Sequence, residues 1–305
     1  MIQILITAST IASMLRLATP LLIAAIGGSF TFHANVFNIA LEGFMLIACF
    51  FSAWATITFV SPIVGVLAGI VAGILAAALF ALLVLILKAD NIVVGLAINL
   101  GSTGLTTWLI QSIYHTRGFV MIPSGGFPNL QIPMISSIPY LGNVLSNQNL
   151  LVYLTFTLAV AGEYFLYRNV FGIRLRAIGE YPEAAQSVGI DVTRYRFISI
   201  LASGLFCGFA GSFLTLSGAS MFSEGMTAGA GFIALAVVFF SQGRPLTMIF
   251  ASLLFGYTES ISVSLQQFKV PSQLMLMLPY LMTVVALTII SIVNQRKGRH
   301  EAAAD

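Results

Sequence analysis

The amino-acid sequence predicts an all-α polytopic membrane protein with about nine transmembrane helices, and three observations carry that prediction. The chain of 305 residues is 58% hydrophobic and only 8% charged, with a mean hydropathy of +0.99, more apolar surface than one soluble core could hide. Apolar runs of about 20 residues, the length a helix needs to cross a hydrocarbon core of about 30 Å, recur along nearly the whole chain. They show no period of two, and lipid offers no partner to an unpaired backbone group, so helices are expected rather than a barrel.

In chain order, spans are expected near 4–27, 36–60, 62–87, 91–113, 148–167, 197–217, 226–242, 245–265 and 273–294. The first starts MIQILITAST, without the basic region of a cleavable signal peptide, and leads straight into further spans. The second holds Asn38 and Glu42 at i, i+4, which on a helix puts an amide and a carboxylate on one face. Gly65, Gly69 and Gly73 stripe the third as GxxxGxxxG, and Gly204, Gly208 and Gly211 form a similar stripe on the sixth. Both stripes are expected to pack tightly within the chain rather than form a dimer seam. The seventh run is short enough around Gly231–Ser241 to be a half-helix, which puts an error of one on the count. The eighth carries Glu259 among Thr258, Ser260 and Ser262.

Two connections stand out. The segment 114–148 contains Pro123, Gly125, Gly126, Pro128, Pro133, Pro139 and Gly142 among Ile and Phe, and is expected to form an ordered external cap with short helices, able to receive a partner protein. The segment 168–196 holds Arg168, Arg174, Arg176, Arg194 and Arg196 with Glu180, Glu183 and Asp191, the one long polar interruption. Placing it in the cytoplasm also puts Lys88, Arg244, Arg296, Lys297 and Arg299 there, ten of the thirteen Lys and Arg. The positive-inside rule then sets the N-terminus outside and the C-terminus in the cytoplasm. The whole of 1–305 is read as a single membrane domain in the lipid bilayer; a net charge of +3 reflects loop bias and gives no sign of nucleic-acid binding.

No signature of catalysis is present. The sequence lacks GxxxxGK(S/T), HExxH and GxSxG motifs, and His33, His115 and His300 are scattered. Cys49 and Cys207 form no CxxC and read as small residues within spans. No metal site, catalytic residue or cofactor of the chain's own is expected. A charge at mid-bilayer costs about 2.5–3.5 kcal/mol, so Glu42 and Glu259 each call for a reason. For Glu42 an interhelical hydrogen bond and a place on a translocation pathway stay equally open; for Glu259 the packing role comes first. A stand-alone secondary carrier using both as ion sites is the alternative from a different class.

Within the polar loop, Gly179 to Gly189 reads as a short, sharply bounded helix. Pro182 suits its first turn, Glu183 the positive end of its dipole, and Gly189 a left-handed stop, with Asp191 placed to cap the next span. Such a helix is either a rigid knob for docking or a segment lying on the membrane surface.

At these residues the chain resembles the permease subunits of ATP-binding-cassette importers that carry nucleosides, simple sugars and, more distantly, branched-chain amino acids. Asn38-Ile39-Ala40-Leu41-Glu42-Gly43 is similar to the family's Asn-Ile-Gly-Leu-Glu-Gly block, and Ala177-Ile178-Gly179-Glu180 through Gly189-Ile190-Asp191 to its cytoplasmic coupling segment. Similarity extends through Lys88-Ala89-Asp90, Asn99-Leu100, Ser203-Gly204, Gly231-Phe232-Ile233-Ala234-Leu235-Ala236 and Phe255-Gly256, from about Pro20 to Gln266. The turn Thr31 to Asn35 departs from the family in lacking charged residues, and the Ile-x-Leu-Pro portion of the broader importer loop is absent.

Length and motif wording most resemble the shorter of the two permeases of nucleoside importers. The resemblance implies a bacterial plasma-membrane location, a cytoplasmic ATP-binding subunit that carries ATP and Mg, a second permease in a heterodimer, and an extracytoplasmic substrate-binding protein. It places Glu180, Pro182, Glu183, Ala184, Ala185 and Gly189 on the surface that docks the ATPase. Asn38, Glu42, Asn99 and Phe232 become candidates for the translocation pathway by position and residue type. Nucleosides are the expected cargo, with a ribose-like sugar or a flavin as alternatives.

Overall fold

The structure is a computed structural model that describes residues 7–131, 144, 146–217, 220–265, 281 and 288. Seven of its helices are long and apolar enough to cross a membrane. They are α1 (Ala8–His33), α2 (Leu41–Phe59), α3 (Pro62–Ala81, prolonged by a π-helical turn Leu82–Ile86), α4 (Asn91–Tyr114), α5 (Leu150–Arg168), α8 (Val192–Leu216) and α10 (Pro245–Leu265). The polar segment between α5 and α8 folds as α6 (Val170–Glu180) and α7 (Pro182–Ser187), and the short apolar helix α9 (Ala230–Phe240) precedes α10. The seventh expected span is thus a half-helix. The ninth, 273–294, falls outside the described residues except at positions 281 and 288.

α1 is the axis of the bundle. Every residue from Ala18 to Thr31 is buried, and α8, α9 and α10 all pack against it. A helix that is apolar all round belongs in the interior. Between helices in lipid the drive to associate is close packing and hydrogen bonding rather than water exclusion, and the seams of this chain are built accordingly. A Cβ on Gly73 would strike the Gly204 carbonyl and lie 2.8 Å from the Gly208 Cα, and one on Gly69 would strike Ser212 Oγ. The two glycine stripes therefore face each other across α3 and α8, as intramolecular packing requires. Thr215 Oγ1 donates to the Cys49 carbonyl (3.1 Å) and Cys49 Sγ to that of Gly211 (3.3 Å), stitching α8 to α2.

The other face of α3 is apolar and exposed: Ile63, Leu67, Val71, Leu75 and Leu79 point outward in register. In the segment 114–148 and the connection after α8 the described residues form two antiparallel ribbons, while most of the stretch expected to hold short helices, 132–143, lies outside the described residues. β1 (Phe119–Met121) pairs with β4 (Met221–Ser223), and β2 (Asn129–Gln131) with β3 (Asn147–Asn149). The β pairing satisfies backbone groups of these Pro- and Gly-containing connections.

Candidate functional site

Two features of the fold involve residues singled out in the sequence, a break within one expected span and the polar segment between two others. After α1 the chain does not start its next helix at residue 36. Residues 34–40 run irregularly, with Ala34, Val36, Asn38 and Ala40 buried in alternation, and α2 begins only at Leu41. Its first turn lies beside Asn99, the ninth residue of α4 and so about 12 Å along that helix at 1.5 Å per residue. Non-helical backbone at such depth persists only where protein satisfies it.

Three side chains provide that satisfaction. Asn38 is 2% exposed; its Oδ1 accepts the Ala40 N–H (3.0 Å) and its Nδ2 donates to Ser203 Oγ on α8 (3.1 Å). Asn99 reaches across from α4, accepting the Gly43 N–H (2.8 Å) and donating to the Ile39 carbonyl (3.0 Å). Glu42 turns its carboxylate to the start of α9. Its Oε1 accepts from Thr227 Oγ1 (2.6 Å) and the Gly229 N–H (2.9 Å), and its Oε2 accepts the Gly231 N–H (2.7 Å). An anion at a helix N-terminus meets orphan donors and the positive end of the dipole together.

Asn38 and Glu42 were expected on one helical face. The correction is that Asn38 precedes the helix, and its own bond to the Ala40 N–H forms an Asx-type turn that competes with helix there. Of the four pathway candidates, Asn38 and Asn99 are buried in the structural framework, Glu42 is half-buried at the junction, and Phe232 on α9 is 42% exposed. Glu259, the other acid singled out in the sequence, lies between hydroxyls used in packing: Thr258 donates to the Leu254 carbonyl and Ser260 to that of Thr10 on α1 (2.8 Å).

The second feature is the polar segment. Asn169 caps α6 by accepting the Phe171 N–H (2.9 Å), Pro182 opens α7, and Gly189 stops it at φ +83°. Asp191 then caps α8 by accepting the Arg194 N–H (3.0 Å). Glu180, Glu183, Ala184 and Gly189 are exposed, and Pro182 is half-buried. Ala185 differs from expectation: at 5% exposure it points inward and anchors α7, while Tyr181 and Val188, 73% and 75% exposed, present the apolar surface instead. A six-residue helix needs one buried position to hold it, and Ala185 is that position.

A hub joins this segment to the membrane helices, and it centres on His33, which sequence reasoning passed over as an isolated histidine. A Cβ on Gly179 of α6 would strike the His33 carbonyl, so α6 and the end of α1 touch backbone to backbone. His33 Nε2 lies 3.0 Å from the Gly243 carbonyl in the α9–α10 turn and 3.4 Å from Tyr167 OH at the end of α5. The guanidinium groups of Arg176 and Arg244 lie 4.4 and 5.6 Å from the centre of the Tyr167 ring, cation–π distances. Arg196 Nε donates to the Ala34 carbonyl (3.2 Å). Among the described residues no group of three or more His, Cys, Asp or Glu could hold a metal ion.

The comparisons agree with this architecture. Over nearly its whole length the chain is 35% identical to the guanosine ABC transporter permease protein NupQ of Bacillus subtilis, covering 89% of this chain and 88% of that one. It is 33% identical to the nucleoside ABC transporter permease protein NupC of Lactococcus lactis, covering 92% and 91%. Among solved structures, a metal-chelate-type ABC transporter in an inward-facing conformation shares the fold, with a TM-score of 0.51 over 92% of this chain and 84% of the other at 16% identity. A family model described as the permease component of the branched-chain amino acid transport system matches residues 10–287. This multi-pass membrane chain therefore belongs to that family of ABC transporter permeases.

Proposed function

We propose that this chain is the membrane-spanning permease subunit of an ATP-driven importer of nucleosides, seated in the bacterial plasma membrane with its N-terminus outside and its C-terminus in the cytoplasm. The observation that carries the transport reading is the rigid knob α6–α7: a polar, doubly capped segment with Ala185 buried, its neighbours exposed, and a direct backbone contact to α1. A cytoplasmic ATPase subunit, holding ATP and Mg, docks on Glu180, Tyr181, Pro182, Glu183, Ala184, Val188 and Gly189. Its closure moves α6, and the His33 hub passes that movement to α1, α5 and the α9–α10 turn together. The chain supplies mechanical transmission and a route through the membrane, while hydrolysis belongs to the partner.

The nucleoside assignment rests on the substrates that the names of the two relatives print. A second, related permease completes the route as a heterodimer, and an extracytoplasmic binding protein delivers the substrate. Within this chain the route follows the open face of α9, where Phe232 can stack on a base; Asn38, Glu42 and Asn99 hold the backbone break that supports it.

The test is uptake by the reconstituted assembly. Labelled guanosine should accumulate only with ATP inside the cytoplasm-facing compartment, and excess unlabelled nucleoside should compete where ribose and riboflavin do not. Uptake driven by an ion gradient without ATP would replace this reading with a secondary carrier.

A further inference from the structure

We infer that the cavity of about 430 Å³ at the cytoplasmic end of α9 is the exit site of the importer, holding a riboside before its release, with the coupling segment as one wall. The inference rests on the nucleoside reading given above. The volume falls within the roughly 300–1,000 Å³ typical of small-ligand sites.

Its lining has the two chemistries that a nucleoside requires. Phe37 and Phe239 are 40% and 41% exposed, with ring centres 5.9 Å apart. Open aromatic faces accept a flat heterocycle. Asn35, Arg176 and Glu180 line the same space and offer an amide, a guanidinium and a carboxylate to the ribose hydroxyls and the base edge. Position adds a second argument. Phe232 and Phe239 are seven residues apart on α9 and so share one helical face, and both are exposed. They mark a line from the Glu42 junction down to this cavity.

The walls come from different moving parts. Arg176 and Glu180 belong to α6, whereas Phe37 follows α1 and Phe239 belongs to α9. Movement of α6 by the ATPase therefore changes the shape of the site directly, so release of substrate is tied to the nucleotide cycle without a longer chain of contacts.

The experiment is cysteine labelling of the full reconstituted assembly with a charged methanethiosulfonate from the cytoplasmic side. Native Cys49 and Cys207 are fully buried, so Phe37→Cys, Phe239→Cys and, as a control at the exposed start of α6 outside both the cavity and the docking surface, Val170→Cys each report one position. Saturating guanosine should slow labelling several-fold at residues 37 and 239 and leave residue 170 unchanged. Unchanged labelling at both cavity positions, in vesicles where the wild-type assembly takes up guanosine, would overturn the exit site and leave the nucleoside reading standing. Failure of the wild-type assembly to take up guanosine would overturn both.

Discussion

The carboxylate of Glu42 accepts the backbone N–H of Gly231 at 2.7 Å, joining the first turns of two helices whose residues are 189 apart in sequence. With the bonds from Thr227 and Gly229, one side chain closes the open donors of α9 while sitting in the first turn of α2. An acid within a membrane span is here accounted for by the donors it meets, and all three point at its two oxygens.

Replacing Glu42 should therefore act first on stability. Glu42→Leu strands backbone donors and should destabilise the chain by roughly 2–5 kcal/mol, since each buried unsatisfied donor costs about 1–3 kcal/mol. Glu42→Gln keeps one acceptor oxygen and should lose about half as much. Thermal unfolding of the two variants in detergent, compared with wild type, checks the order; equal stability of all three would show that the junction does not hold α9.

The glycines offer an internal control. Gly73→Ala puts a methyl into the Gly204 carbonyl and should lower the melting temperature sharply, whereas Gly101→Ala opens onto free space, with no atom of the described residues beyond its own helical backbone within 4 Å. The second change should leave the stability of the isolated chain within about 0.5 kcal/mol of wild type. Melting curves of the two single variants decide it.

How much of this was legible in the sequence varies from element to element. Helix ends governed by local chemistry were readable: Pro182 at the start of α7, Gly189 at its stop and Asp191 capping α8 all stand where cap preferences place them. The glycine stripes were readable because small side chains recurring on one helical face let a neighbouring helix approach closely. The partner of Glu42 was not, since Thr227, Gly229 and Gly231 lie almost two hundred residues away and tertiary contact alone brings them together. Asn38 misled for a related reason: a side chain that bonds its own backbone breaks the helix that periodicity suggests. His33 carried no signal at all, because its role depends on Gly179, Gly243 and Tyr167 arriving from three separate elements.

That hub yields a prediction about coupling rather than assembly. His33→Ala should leave the ATPase subunit bound, because the proposed docking surface on α7 is untouched, and reduce guanosine uptake per ATP hydrolysed by about fivefold, the effect of a coupling loss of about 1 kcal/mol. Parallel measurement of ATP hydrolysis and uptake separates the two. A proportional fall in both would assign His33 to folding instead of transmission.

At the knob itself, Gly189→Ala should cost about 1 kcal/mol because φ at this position is +83°, with docking weakened but present. Size-exclusion profiles of the assembled complex across a dilution series should show it dissociating at higher protein concentration than wild type.

The central claim is that α6–α7 docks an ATP-hydrolysing subunit, and it is tested most directly by purifying the tagged chain gently from native membranes. An ATPase subunit should co-purify with the wild-type chain and be lost with Glu183→Arg and Gly189→Trp, while the variant chains remain folded and monodisperse. A wild-type chain recovered alone, stable and without any ATPase, would contradict the account.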